Sequence, residues 1–167
     1  KFSKNKIVGF NIQNNGQMCC CKISHNVTLG TIIGEYDFDK YKSKKNEEKI
    51  KEVEILTEKV EKFTPAIEQA KIIGEAMDFT KNLIFEPAEY ATPTKISEIA
   101  AELAKENGLE FKVFNKEELK AMNFNAFLAV GQGSVQEPKF IHLKYTPENP
   151  KKKIAIIGKG ITFDSGG

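Results

Sequence analysis

Lys153-Ile154-Ala155-Ile156-Ile157-Gly158-Lys159-Gly160-Ile161-Thr162-Phe163-Asp164-Ser165-Gly166-Gly167 closes the chain and carries its most specific signal. The apolar run Ile154 to Ile157 reads as a buried strand. It runs into a lysine flanked by glycines, and Asp164 follows ahead of a Ser-Gly-Gly turn. In open α/β sheets ligands bind beyond the carboxyl ends of the strands, and Lys159 stands at such an end. Gly158 and Gly160 remove side-chain bulk, so backbone and an ion can approach closely. Asp164 offers a hard oxygen suited to Zn, Mn or Mg. A lysine ligates only as the neutral amine, which requires a pKa far below ~10.4. A neighbouring dication and burial both push it that way. On these grounds alone a metal-ligand role for Lys159 and Asp164 stays open, and an isolated lysine and aspartate at this spacing more often form an ion pair at a strand end.

Working back from this stretch, Phe140 to Tyr145 alternates, with Ile141, Leu143 and Tyr145 on one face, and Pro147 and Pro150 bound a polar turn. Leu109 to Phe114 reads as a strand. Asn115 with Glu118 makes a capping-box start for a short helix through Ala121. Phe127 to Val130 is an apolar segment leading into Gly131-Gln132-Gly133-Ser134, read as a turn that closes a strand. Thr92 is an N-cap with Pro93 at the first helical position. Ile96, Ile99, Ala100, Leu103 and Ala104 form the apolar stripe, and Gly108 ends that helix. Thr64 and Pro65 give a second such start. Ile67, Ala70, Ile73, Met77 and Ile84 then predict a helix of about twenty residues, ending before Pro87. Helices alternating with strands over 65–160 predict a layered α/β fold with a substantially parallel sheet.

Nearer the N-terminus, Ile7 to Ile12 and Met18 to Ile23 read as strands of a hairpin turned at Asn14-Asn15-Gly16. Val27 to Tyr36 is apolar with two glycines, and a helix there stays open. Lys40 to Lys51 holds six lysines and two glutamates and reads as a solvated loop. Val53 to Leu56 reads as a strand.

The 167 residues carry a net charge of +2, and all 25 basic residues are lysine. So weak a charge argues against a nucleic-acid partner. Without arginine, no bidentate guanidinium clamp comes from this chain. No apolar run approaches the ~20 residues that span a bilayer, so no membrane partner is expected. Cys19, Cys20 and Cys21 lack a second cluster that would complete a zinc site, and they read as reduced, small core residues of a cytoplasmic protein. His25 and His142 have no nucleophile partner and read as structural or surface groups. Gly160 directly after Lys159 rules out a phosphate loop, and Gly131-Gln132-Gly133 lacks the third glycine of a dinucleotide fingerprint. The first residue is Lys1, and the start is expected to be clipped.

The string Gly158 to Gly167 strongly resembles the metal-site signature of the leucine aminopeptidase (cytosolic aminopeptidase) family of di-metal peptidases. Phe85-Glu86-Pro87-Ala88-Glu89-Tyr90-Ala91-Thr92-Pro93, Ala129 to Ser134, Lys139 to Leu143 and, more weakly, Gly34 to Phe38 are similar to the same family. The family pattern commonly has asparagine where this chain has Phe85, and again soon after Pro-Ala, where it has Glu89.

The resemblance implies an α/β fold in three parts. These are the end of an N-terminal α/β domain (1–64), a linking helix (65–86), and the first section of a layered α/β metallopeptidase domain (87–167). It implies two divalent metal ions (Zn, Mn, Mg or Co) in the full-length enzyme, with Lys159 and Asp164 among their ligands. It also implies peptide substrates with leucine-like N-termini and a homo-hexamer. The family's other ligands and its catalytic lysine and arginine come after this point in the sequence. No catalytic residue is therefore assigned within the chain, and the chain alone is expected to be inactive. The alternative is a non-catalytic α/β interaction module left by truncation.

Overall fold

A computed structural model describes residues 7–11, 19–45, 50–57 and 60–162. The chain divides into two compact units, residues 1–85 and 86–167.

The first unit contains β1 (Ile7–Asn11), α1 (Cys20–Glu35), β2 (Glu52–Leu56) and α2 (Val60–Phe85). β1 pairs with β2 in parallel, with Val8 opposite Val53 and Phe10 opposite Ile55. A parallel pair needs a long crossover, and α1 supplies it. The expected hairpin is thus corrected: the partner of β1 is β2, and Cys20 to Ile23 open a helix. The Asn14-Asn15-Gly16 turn lies outside the described residues. A short apolar run fits strand or helix equally; here the run continues to Glu35, beyond ordinary strand length, and its Ser24 is fully buried. The open reading at Val27 to Tyr36 resolves as helix.

α1 packs on α2 closely enough that a Cβ at Gly74 would lie 2.7 Å from Cδ1 and 2.8 Å from Cγ2 of Ile32. Phe63 and Ala70 are buried on α2. α2 begins at Val60, not at Pro65: Thr64 lies inside the helix and its hydroxyl donates to the Val60 carbonyl at 3.0 Å. Pro65 forfeits one backbone bond so early in the helix. Burying Phe63, worth roughly 1.5–3 kcal/mol, offsets that loss. At the other end Phe85 stacks on Tyr36 (6.1 Å) and Phe38 (5.7 Å).

The second unit contains α3 (Pro93–Asn107), β3 (Glu110–Phe114), α4 (Lys116–Ala121), α5 (Asn125–Val130) and β4 (Phe140–Lys144). Thr92 caps α3 by accepting from the Lys95 N–H, and Gly108 ends it at φ 64°. Asn115 and Glu118 form the full capping box of α4. α5 is the helical form of the Phe127 to Val130 segment, so Gly131-Gln132-Gly133 closes a helix and not a strand.

β3 and β4 pair antiparallel, with Phe114 opposite Phe140 and Val113 opposite Ile141. A substantially parallel sheet over 65–160 is therefore not formed among the described residues. The antiparallel register brings Phe140 against Phe114, and Phe124 and Phe127 fold back onto it at 5.5 and 6.0 Å. Leu119 is fully buried. The aromatic cluster of this sheet thus gathers around Phe140; Leu143 and Tyr145, which the alternation sets on one face, are exposed.

Candidate functional site

After β4 the backbone from Tyr145 to Thr162 forms neither helix nor strand. Ile154, Ile156 and Ile157 are 84%, 94% and 92% exposed. The predicted strand at 154–157 is thus not formed. A strand needs a neighbour for its N–H and C=O groups and a cover for its faces, and among the described residues no strand takes that place. Lys159 is exposed on this stretch, between glycines where an added Cβ would meet nothing within 4 Å. Asp164 lies outside the described residues. Among the described residues, no three His, Cys, Asp or Glu side chains gather to hold a metal ion. Lysine nitrogen and aspartate oxygen are donors that fit a divalent ion, but two donors are fewer than the roughly four to six that such an ion takes.

The other singled-out residues take structural places. Nδ1 of His25 lies 3.2 Å from the Ala66 carbonyl oxygen. A carbonyl only accepts, so this nitrogen carries the proton and the ring ties α1 to α2. Cys21 does the same one turn earlier, its thiol donating to the Lys62 carbonyl at 3.3 Å. Cys19 is exposed, which corrects its expected core position. His142 is exposed on β4, opposite Lys112.

Charge is organised locally. Glu137 accepts from Lys139 and from the backbone N–H of Lys116 at the start of α4, and these hydrogen bonds hold its carboxyl below the usual range. Glu110 is held low by the hydrogen bond and then the charge of Lys144 on the paired strand. The Tyr36 phenol is raised by burial first, then by the charges of Asp78 and Asp37. Tyr36 borders a shallow cleft of about 300 Å³ in the first unit, lined also by Glu35, Ile50 and Asp78. Lys159 does not line it.

The fold is a mixed α/β arrangement with its one specific signature, Gly158 to Gly167, at the end of the chain. Residues 78–167 match the catalytic domain of the cytosol aminopeptidase family. The chain belongs to the cytosol aminopeptidase family.

The probable cytosol aminopeptidase of Persephonella marina is 48% identical over 147 residues, which cover 87% of this chain and 30% of that protein. That of Aquifex aeolicus is 44% identical, over 87% of this chain and 29% of the relative. For Campylobacter jejuni the identity is 38%, over 89% and 32%. The matches thus span about three tenths of the length of these curated relatives. Among solved structures, the bottromycin maturation enzyme BotP in complex with Mn superposes with a TM-score of 0.75 at 23% identity. It covers 86% of this chain and 30% of that chain, and shows the shared fold.

Among the described residues no helix is long and apolar enough to cross a membrane.

Proposed function

We propose that the protein bearing this chain is a metal-dependent aminopeptidase of the cytoplasm that releases N-terminal residues, leucine-like ones preferred, from peptides. The observation that carries this reading is the catalytic-domain match over residues 78–167, because that span includes the Gly-Lys-Gly-Ile-Thr-Phe-Asp-Ser-Gly-Gly string. In this reading residues 1–64 end an N-terminal domain, 65–86 link, and 87–167 open the catalytic domain of a homo-hexamer.

Two bound divalent ions would polarise the substrate carbonyl and supply a nucleophilic water at neutral pH. In this chain Lys159, through its side-chain nitrogen, and Asp164, through its carboxylate, would help to hold those ions. The open space beside Gly158 and Gly160 leaves room around the lysine. With two donors only, the 167-residue chain alone does not hydrolyse peptides.

Lys159→Ala and Asp164→Ala in the full-length protein test the assignment. Each lowers bound metal, read by elemental analysis, and kcat/KM on leucine-terminated peptides by roughly a thousandfold or more. Lys159→Arg fails too, because a guanidinium keeps its proton and has no lone pair to give. Near wild-type turnover with full metal content removes both residues from the site.

The exposure of Ile154, Ile156 and Ile157 favours one second reading, an interaction module that only associates. The intact mass separates the two: 18.7 kDa fits the module, and a mass roughly threefold larger, as the relatives' coverage suggests, fits the enzyme.

A further inference from the structure

We propose that Asn107–Gly108, the junction between α3 and β3, is a spontaneous deamidation site whose rate is set by the cap of α3. Both residues are exposed, and nothing lies within 4 Å of the place a Cβ would take on Gly108. With no side chain on Gly108, nothing at that Cα crowds attack of its nitrogen on the Asn107 side chain once the cap opens.

In the reaction the Gly108 amide gives its proton to base and its nitrogen attacks Cγ of Asn107. The N–Cγ bond forms, the Cγ–Nδ2 bond breaks, and Nδ2 leaves as ammonia with the proton returned to it. The product is a five-membered succinimide. Water then opens that ring at Cγ to give aspartate, or at the main-chain carbonyl to give isoaspartate. The sum is one water taken up and one ammonia released, with no change of oxidation state.

The folded cap holds both reacting groups away from each other. Nδ2 of Asn107 donates to the Leu103 carbonyl at 2.9 Å. The Gly108 N–H donates to the Ala104 carbonyl, and the Leu109 N–H donates to the same oxygen at 2.8 Å. A hydrogen-bonded amide loses its proton less readily, and the helical backbone of Asn107 must turn before the ring can close. Reaction therefore waits on fraying of the last turn of α3.

The product removes what the cap supplies. The Nδ2 donor is lost, and a carboxylate appears at a helix C-terminus, where the dipole favours a cation; Lys105 is the one basic residue in that turn. Isoaspartate also lengthens the main chain by one carbon three residues before Glu110, where the β3–β4 register begins.

The purified protein is incubated at mildly alkaline pH, in buffer and in urea, and the tryptic peptide Glu106–Lys112 is followed by chromatography and mass spectrometry. Asn15–Gly16 in the same urea digest is the internal reference for the intrinsic rate. The expected result is Asp and isoAsp at position 107 in urea at a rate close to the reference, and roughly tenfold less in buffer, since local opening is a minor state. Glu102→Gly, which loosens the helix without touching the dipeptide, raises the buffer rate and leaves the urea rate unchanged. Equal wild-type rates in buffer and urea overturn the role of the cap. No product at 107 in urea overturns the site itself.

Discussion

Residues 92–121 and residues 151–162 belong to the same compact unit, yet they meet the needs of their backbone in opposite ways. From Thr92 to Ala121 nearly every terminus is closed locally: Thr92 on Lys95, Gly108 on Ala104, Asn115 on Glu118. The later stretch forms no helix or strand and leaves four isoleucines, Ile154, Ile156, Ile157 and Ile161, exposed to water. A helix makes its hydrogen bonds within itself, so a cap at each end suffices. A strand borrows all of its bonds from a neighbour. The string proposed above to carry the metal ligands therefore begins, at Gly158, on a stretch that depends on partners elsewhere.

Four stability measurements break or sharpen that comparison. The largest effect is expected from Leu119→Ala, which empties the fully buried centre beside the capping box of α4 and costs about 2–5 kcal/mol in denaturant unfolding. A cost near that of a surface change means the second unit is not packed as described.

Gly74→Ala ranks second. Its methyl meets Ile32 at less than van der Waals distance, so about 1–3 kcal/mol is lost. Ile32→Ala in the same chain makes the alanine tolerable, and a double-mutant cycle reads the coupling. Simple additivity of the two losses would show that the helices do not meet there.

Thr92→Ala removes a cap and costs about 1 kcal/mol, whereas Ile156→Thr in this chain stays within about 0.5 kcal/mol despite deleting a large apolar group. Thermal melts of the pair state the comparison directly. A larger loss for Ile156→Thr than for Thr92→Ala would mean that 154–157 is covered after all.

The smallest effect concerns pH. Glu137 has a folded pKa below its unfolded value, so its contribution is complete above the unfolded value and is lost as pH falls through the folded one. Stability of the wild type therefore drops more steeply below about pH 4 than that of Glu137→Gln. Identical acid limbs show that the hydrogen bonds to Lys139 and the Lys116 N–H carry no net linkage.

The two helices with complete cap signals, α3 and α4, were legible to within a residue, because Thr-Pro, Gly and Asn-x-x-Glu act through bonds that span at most five residues. α1 was not: Met18 to Ile23 reads as a strand by its apolar run, and only the face that α1 presents to α2 decides otherwise. The start of α2 was misplaced for the same reason: Thr64-Pro65 reads as a start, and burying Phe63 outweighs the backbone bond that Pro65 forfeits inside the helix. Phe85 stacks with Tyr36 and Phe38, a contact that the sequence reading did not foresee. Of the candidate site, residue types and spacing were legible; Lys159 is placed on an exposed stretch, and Asp164 lies outside the described residues.

By itself the sequence determined the family, through ten consecutive residues, and the helix ends that close their own hydrogen bonds. Only the tertiary structure decided which strands pair, in which direction, and which apolar runs become helix. Those choices depend on burial against residues far away in the chain, and no local pattern encodes what will stand opposite.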